Sequence, residues 1–180
     1  MSVFWDALNT KVRVAQIVKE SLINGPGVRL VVALQGCNIQ CPGCHNPELH
    51  DPNGGYETTV GNILGYASDL TTGITVSGGE PTLQPVATRA LLKAAKSVGL
   101  DTMMYTGLTK VEFEAHPMYV DILENLDLIK IGPYVESLRT LATPYYGSTN
   151  QKIYIVERTE LKDAKDSFCW RTLYGEDNPV

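Results

Sequence analysis

Three cysteines, Cys37, Cys41 and Cys44, stand in a C-x3-C-x2-C array. Spacing this short makes three thiolates converge on one point with little help from the rest of the chain. Gly36 and Gly43 relieve backbone crowding around them, and Pro42 stiffens the turn between. The count of three is the informative feature. A closed structural zinc site takes four ligands, whereas a reactive metal site leaves one position open. Ferredoxin-type electron carriers also supply four cysteines locally. A [4Fe-4S] cluster held by only three would keep one iron free for a small molecule. The alternative is a zinc knuckle completed by His45 or His50. The fourth cysteine, Cys169, is remote in sequence and reads as a packed thiol.

A second constellation is Ser77-Gly78-Gly79-Glu80-Pro81. Adjacent glycines at the end of a strand let a ligand lie against bare backbone. Glu80 puts a carboxylate there. By itself the segment is also an ordinary strand-to-helix turn. A third feature is the turn 24–29, with two glycines around Pro26 and Arg29 at its exit. Arg29 either meets a carboxylate or caps a neighbouring loop.

The elements that must position these groups alternate in type. Residues 11–18 carry a weak strand pattern, and the apolar run 30–34 reads as a buried parallel strand. The cysteine loop hangs from that strand's C-terminal end, where α/β proteins place their chemistry. A polar loop follows over 45–56, then a helix over 59–70 with Val60, Ile63, Leu64 and Ala67 inward. Strands are predicted over 73–76, 100–105, 126–131 and 153–156. A helix spans 85–98, with Pro85 in its first turn and Gly99 closing it. Short helical pieces fall at 109–114, 119–125 and 135–141, and 145–151 is a polar loop. The alternation predicts a parallel sheet with right-handed crossovers. In residues 1–11, Phe4, Trp5 and Leu8 either pack on the body or form a surface tail. Phe168, Cys169 and Trp170 offer a docking point within the charged segment 157–180.

Composition narrows the class. At 180 residues, 43% hydrophobic, the chain suits one domain with a real core. A full (β/α)8 barrel needs about 250 residues, so any barrel here is partial. The net charge of −5 suggests no nucleic-acid face. Three clustered cysteines point to a reducing compartment. No signal peptide and no apolar run of roughly 18 residues is seen, so a cytoplasmic location away from membranes is expected.

The cysteine array, followed by Gly78-Gly79-Glu80, closely resembles the radical S-adenosylmethionine (radical SAM) superfamily. Residues 24–29, 41–47, 132–135 and 147–151 look like the activating proteins of anaerobic (class III) ribonucleotide reductases. This resemblance covers roughly residues 12–156 and implies a single radical SAM domain of α/β class, a partial barrel of parallel strands. It implies a [4Fe-4S] cluster on Cys37, Cys41 and Cys44 that binds SAM at its open iron. Gly78, Gly79 and Glu80 would hold the SAM ammonium, and His45 or the loop backbone the adenine. Asn46, Thr106 and Lys130 complete the implied cofactor set, Lys130 facing the SAM carboxylate or simply reaching solvent. The implied partners are the reductase large subunit, whose glycine loop would enter by the barrel's open side, and a low-potential donor such as flavodoxin. The pattern departs from relatives at Gly43, where many superfamily members carry an aromatic residue, and at Ile131, where the subfamily tends to have Asp. Activation of another glycyl-radical enzyme, deazapurine-type chemistry and a non-catalytic metal module stay open.

Overall fold

The structure, a computed structural model, describes residues 6–157 and 159–164. Its strands are β1 (Lys11–Ser21), β2 (Arg29–Leu34), β3 (Tyr56–Thr59), β4 (Gly73–Gly78), β5 (Asp101–Thr106), β6 (Leu128–Ile131), β7 (Lys152–Glu157) and β8 (Glu160–Asp163). Its helices are α1 (Val60–Leu64), α2 (Pro85–Ser97), α3 (Lys110–Glu114) and α4 (Tyr119–Leu123). All eight strands form one sheet in the order β3-β1-β2-β4-β5-β6-β7-β8.

The α/β class holds, and the sheet of the described residues is open, with β3 and β8 at its edges. The centre, β2-β4-β5-β6, is parallel. Two antiparallel strands extend it on each side, which makes the sheet mixed rather than wholly parallel. β3 runs from the last residue of the expected polar loop to the first of the expected helix, where no strand was foreseen, and β8 falls within the C-terminal segment. Both are four-residue edge strands, half-polar and exposed, so neither has the apolar alternation that marks a strand in sequence.

Three helical expectations shorten. The helix expected over 59–70 ends at Leu64, with Gly65 as its C-cap and Leu70 exposed. Its start is fixed by the Thr59 side chain, which accepts from the Asn62 N–H. The piece expected over 135–141 is only a 3-10 turn, Glu136–Leu138. The piece expected over 119–125 stops at Leu123. By contrast α2 begins at Pro85 as expected, and α3 carries a full capping box between Thr109 and Glu112.

The two faces of the sheet differ. Leu30, Val32, Leu34, Ile74, Val76, Met104, Ile129 and Ile131 point to the face packed by α2, whose inner side is Ala87, Leu91, Leu92, Ala94 and Ala95. Strand alternation sends Met103, Leu128 and Ile153 to the opposite face, where Tyr105 and Tyr145 join them. At the N-terminal end of the parallel strands this second face is plugged by the turn 24–27. A Cβ on Gly25 (φ +135°) would meet Met103 Sδ at 2.9 Å, so only glycine lets the turn seat there.

Arg29 resolves in both ways at once. It is fully buried, pairs with Asp101, and donates Nε–H to Thr75 Oγ1 at 3.0 Å and Nη1–H to the Pro26 carbonyl at 3.3 Å. It thus ties the plugging turn to β4 and β5. Leu8 packs against the main core. Phe4, Trp5, Phe168, Cys169 and Trp170 lie outside the described residues. No described helix is long and apolar enough to cross a membrane.

Candidate radical-chemistry site

The C-terminal ends of β2, β4, β5 and β6 open on a cavity of about 180 Å3. Every residue of the implied cluster and cofactor set lines it: Cys37, Cys41 and Cys44, His45 and Asn46, Gly78 to Glu80, Thr106 and Lys130. The topology explains why. Each parallel strand delivers its following loop to the same end of the sheet.

The cysteine loop is anchored at its start. Gly36 N–H donates to the Leu49 carbonyl at 2.9 Å and Cys37 N–H to the His50 carbonyl at 3.2 Å. Gln84 amide donates to the Arg13 and Gln35 carbonyls, and Gln35 amide to the Asp51 carbonyl. The Gly78-Gly79 turn completes the anchor. Gly79 N–H donates to the Leu34 carbonyl and Glu80 N–H to the Gly36 carbonyl, each at 2.8 Å. A Cβ on Gly79 would sit 2.0 Å from Gly36 O. The bare backbone here is thus needed first by the cysteine loop itself, not by a ligand alone.

All three cysteines are free thiols, half-buried. Burial pushes the Cys41 thiol up, and its two sister thiols add to this, while the Tyr134 backbone N–H bonds to it and opposes the rise. Asn46 N–H points at Cys44 Sγ at 3.4 Å. Among the described residues no three His, Cys, Asp or Glu side chains are close enough to hold one metal ion. The three sulfurs border one cavity, and Cys37 and Cys44 both act on the Cys41 thiol. Three thiols, backbone N–H groups aimed at sulfur and a glycine cradle together fit a [4Fe-4S] cluster.

Glu80 is 1% exposed. Its Oε1 accepts from Thr82 N–H, Thr82 Oγ1–H and Thr106 Oγ1–H, and its Oε2 from Gly107 N–H, at 2.8 to 3.0 Å. Burial pushes its pKa up, against these bonds. The carboxylate staples the ends of β4 and β5 together, and Thr106 serves that staple.

Lys130 does not reach solvent. It shares the inner face with Leu128 because the two are separated by one residue on β6. It is 9% exposed, donates to the Tyr145 carbonyl at 2.9 Å, and lies 3.6 Å from the centroid of the Tyr105 ring. Desolvation lowers its pKa to about 7.

Tyr105 and Tyr134 also line the cavity and were not foreseen. Tyr134 packs against His45 with ring centroids 4.5 Å apart. It is held by the loop 147–151. Gln151 accepts from Gly147 N–H at 2.9 Å and donates to the Gly132 carbonyl at 3.1 Å, while Asn150 donates to the Pro133 carbonyl at 2.8 Å. The glycine at 132 and the amides at 150 and 151 were visible in sequence. Their shared purpose, fixing Tyr134, was not.

Comparison with known proteins agrees with this geometry. Residues 23–154 match the family model for a 4Fe-4S single cluster domain. The chain is 35% identical over 124 residues to a pyruvate formate-lyase-activating enzyme of Clostridium pasteurianum, covering 65% of this chain and 50% of that one. It is 31% identical over 147 residues to the anaerobic ribonucleoside-triphosphate reductase-activating protein of Escherichia coli, covering 74% of this chain and 92% of that one. The chain spans about half the length of the pyruvate formate-lyase-activating enzymes it matches. The crystal structure of QueE from Escherichia coli aligns over 55% of this chain and 53% of that one, with 14% identity and a TM-score of 0.43. The chain belongs to the 4Fe-4S single-cluster family of radical SAM proteins, together with the anaerobic ribonucleoside-triphosphate reductase-activating protein of Escherichia coli.

Proposed function

We propose that this chain is a radical SAM activase that generates a glycyl radical on an anaerobic ribonucleotide reductase. The observation that carries this is the meeting on one cavity of three free thiols, the Gly78-Gly79 turn and a buried lysine that has no carboxylate partner among the described residues. The reductase is favoured over pyruvate formate-lyase as partner because the match to the reductase activator spans 92% of that protein. Residues 1–180 are proposed to act as one radical SAM domain.

Cys37, Cys41 and Cys44 would hold the cluster, and the carbonyls of the 77–79 turn would accept from the SAM ammonium. A cluster and SAM held there would supply one-electron reductive cleavage of the sulfonium and, from it, hydrogen-atom abstraction at the partner's glycine. The chain's own part is orientation and exclusion of water. His45 and Tyr134 form an aromatic wall for the adenine. Lys130 faces the SAM carboxylate. A low-potential protein of the flavodoxin kind is proposed as electron donor.

The test is anaerobic. Reconstituted protein is reduced with SAM and the reductase, then assayed for 5′-deoxyadenosine and a glycyl-radical EPR doublet. Deoxyadenosine without the doublet keeps the chemistry and rejects the partner. Neither product rejects the reading.

A further inference from the structure

The segment that follows β6 lies on the cysteine loop at three places. The Tyr134 N–H bonds to the Cys41 thiol, the Tyr134 ring packs on His45, and the Glu136 carboxylate rests on Gly43. The last contact is the least expected. A Cβ added to Gly43, whose φ is +71°, would stand 2.7 Å from Glu136 Oε2 and 3.0 Å from Oε1. Any side chain at 43 would therefore push the carboxylate away.

Glu136 is pinned through its backbone. Val135 N–H donates to Oγ of the fully buried Ser148 at 3.2 Å, and the Glu136 carbonyl accepts from Arg139 N–H at 3.0 Å. Its side chain is exposed, and no described cation forms an ion pair with it. Its charge is thus uncompensated. It sits on the residue just before Cys44 and two after Cys41, beside two of the three thiols.

We propose that Glu136 tunes the electron affinity of the site: its carboxylate, seated on Gly43, lowers the reduction potential of a cluster held by Cys37, Cys41 and Cys44. This rests on the cluster reading above. One-electron reduction adds negative charge to such a cluster, so a fixed anion beside it opposes the reduction. Net charge and hydrogen bonds to sulfur are the terms that set these potentials. The same anion makes the reduced site a stronger donor to a sulfonium, an acceptor that is hard to reduce. Glu136 acts through the cluster and touches no substrate.

The test is an EPR-monitored redox titration of the reconstituted, SAM-free protein. Glu136→Gln keeps the size of the side chain and removes its charge, so the midpoint should move to a more positive potential. Glu136→Lys should move it further. Raising the ionic strength from about 0.01 M to 1 M cuts the screening length from about 30 Å to 3 Å, so the difference between wild type and Glu136→Gln should shrink. Gly43→Ala, which displaces the carboxylate, should shift the midpoint in the same direction, and adding Glu136→Gln to it should change little more. Iron per chain and melting temperature of Glu136→Gln should match wild type. A midpoint unmoved in Glu136→Gln, a shift indifferent to salt, or lost iron would overturn the proposal. Wild-type protein that takes up no cluster would instead remove the cluster reading itself.

Discussion

Glu80 Oε2 accepts the Gly107 N–H at 2.9 Å, closing the gap between the end of β4 and the end of β5. Its other oxygen takes three further donors. Glu80→Gln keeps the size but turns an NH2 toward one of these donors. Stability should fall by about 1–3 kcal/mol, read as a shift in the urea midpoint. If Glu80 also accepts from the SAM ammonium, SAM affinity falls in the same variant under conditions where it remains folded. Unchanged affinity would confine Glu80 to holding the strand ends.

The metal assignment predicts a brown, oxygen-sensitive protein. Cys37→Ala, Cys41→Ala and Cys44→Ala should each lose most of the iron and sulfide on reconstitution, and all SAM cleavage. Cys169→Ala should keep both. A colourless protein holding one zinc would end the radical reading.

Gly79→Ala should act through the cysteine loop. Its Cβ would stand 2.0 Å from Gly36 O, a backbone atom that cannot swing aside. The loop start must move, so cluster loading should fall even in folded protein. Gly99 is the control. It closes α2 at φ +85° with nothing within 4 Å of an added Cβ, so Gly99→Ala should cost only about 1–2 kcal/mol of backbone strain and load normally. Iron content per folded chain separates the two.

These contrasts show what the sequence discloses. The cysteine spacing and the Gly78-Gly79-Glu80 turn are local patterns, so their meeting on one cavity could be read from strand order alone. The long apolar strands and α2 were legible for the same reason, their periodicity being strong. What escaped is non-local. Tyr105 looks like an ordinary strand aromatic until the sheet places it beneath Lys130. Tyr134 gains a role only because Gln151 and Asn150 return to grip Gly132 and Pro133. β3 and β8 are polar edge strands whose pairing is supplied by their neighbours, not by their own side chains.

Arg29 supports a prediction of stability without chemistry. It is fully buried, and its partner Asp101 is half-exposed, with burial pushing the acid's pKa up against the pull of the guanidinium. Arg29→Ala should cost about 2–4 kcal/mol, because Thr75 and the Pro26 and Ile74 carbonyls lose their buried donors while the half-exposed Asp101 is partly rehydrated. Arg29→Lys should recover little, because an ammonium cannot reach Thr75, Pro26 and Asp101 in the fork geometry of a guanidinium. Urea denaturation measures both. Cluster loading of the folded fraction should be unaltered, since the network lies at the end of the sheet away from the cavity.

Lys130 makes stability and ligand binding depend on pH in opposite senses. Its pKa falls from the ordinary 10.5 to about 7 in the fold. Between those values the unfolded chain holds a proton that the folded chain has released, so stability should rise with pH across roughly 7 to 10.5 and be lower below it. Lys130→Met should flatten that rise, amounting to a few kcal/mol. A ligand carboxylate reverses the balance by restoring the charge. SAM binding at pH 8 should then take up close to one proton, and affinity should decline as pH climbs above 7. Calorimetry in two buffers of different ionisation enthalpy measures the uptake. Binding without proton uptake would mean that the anion does not meet Lys130.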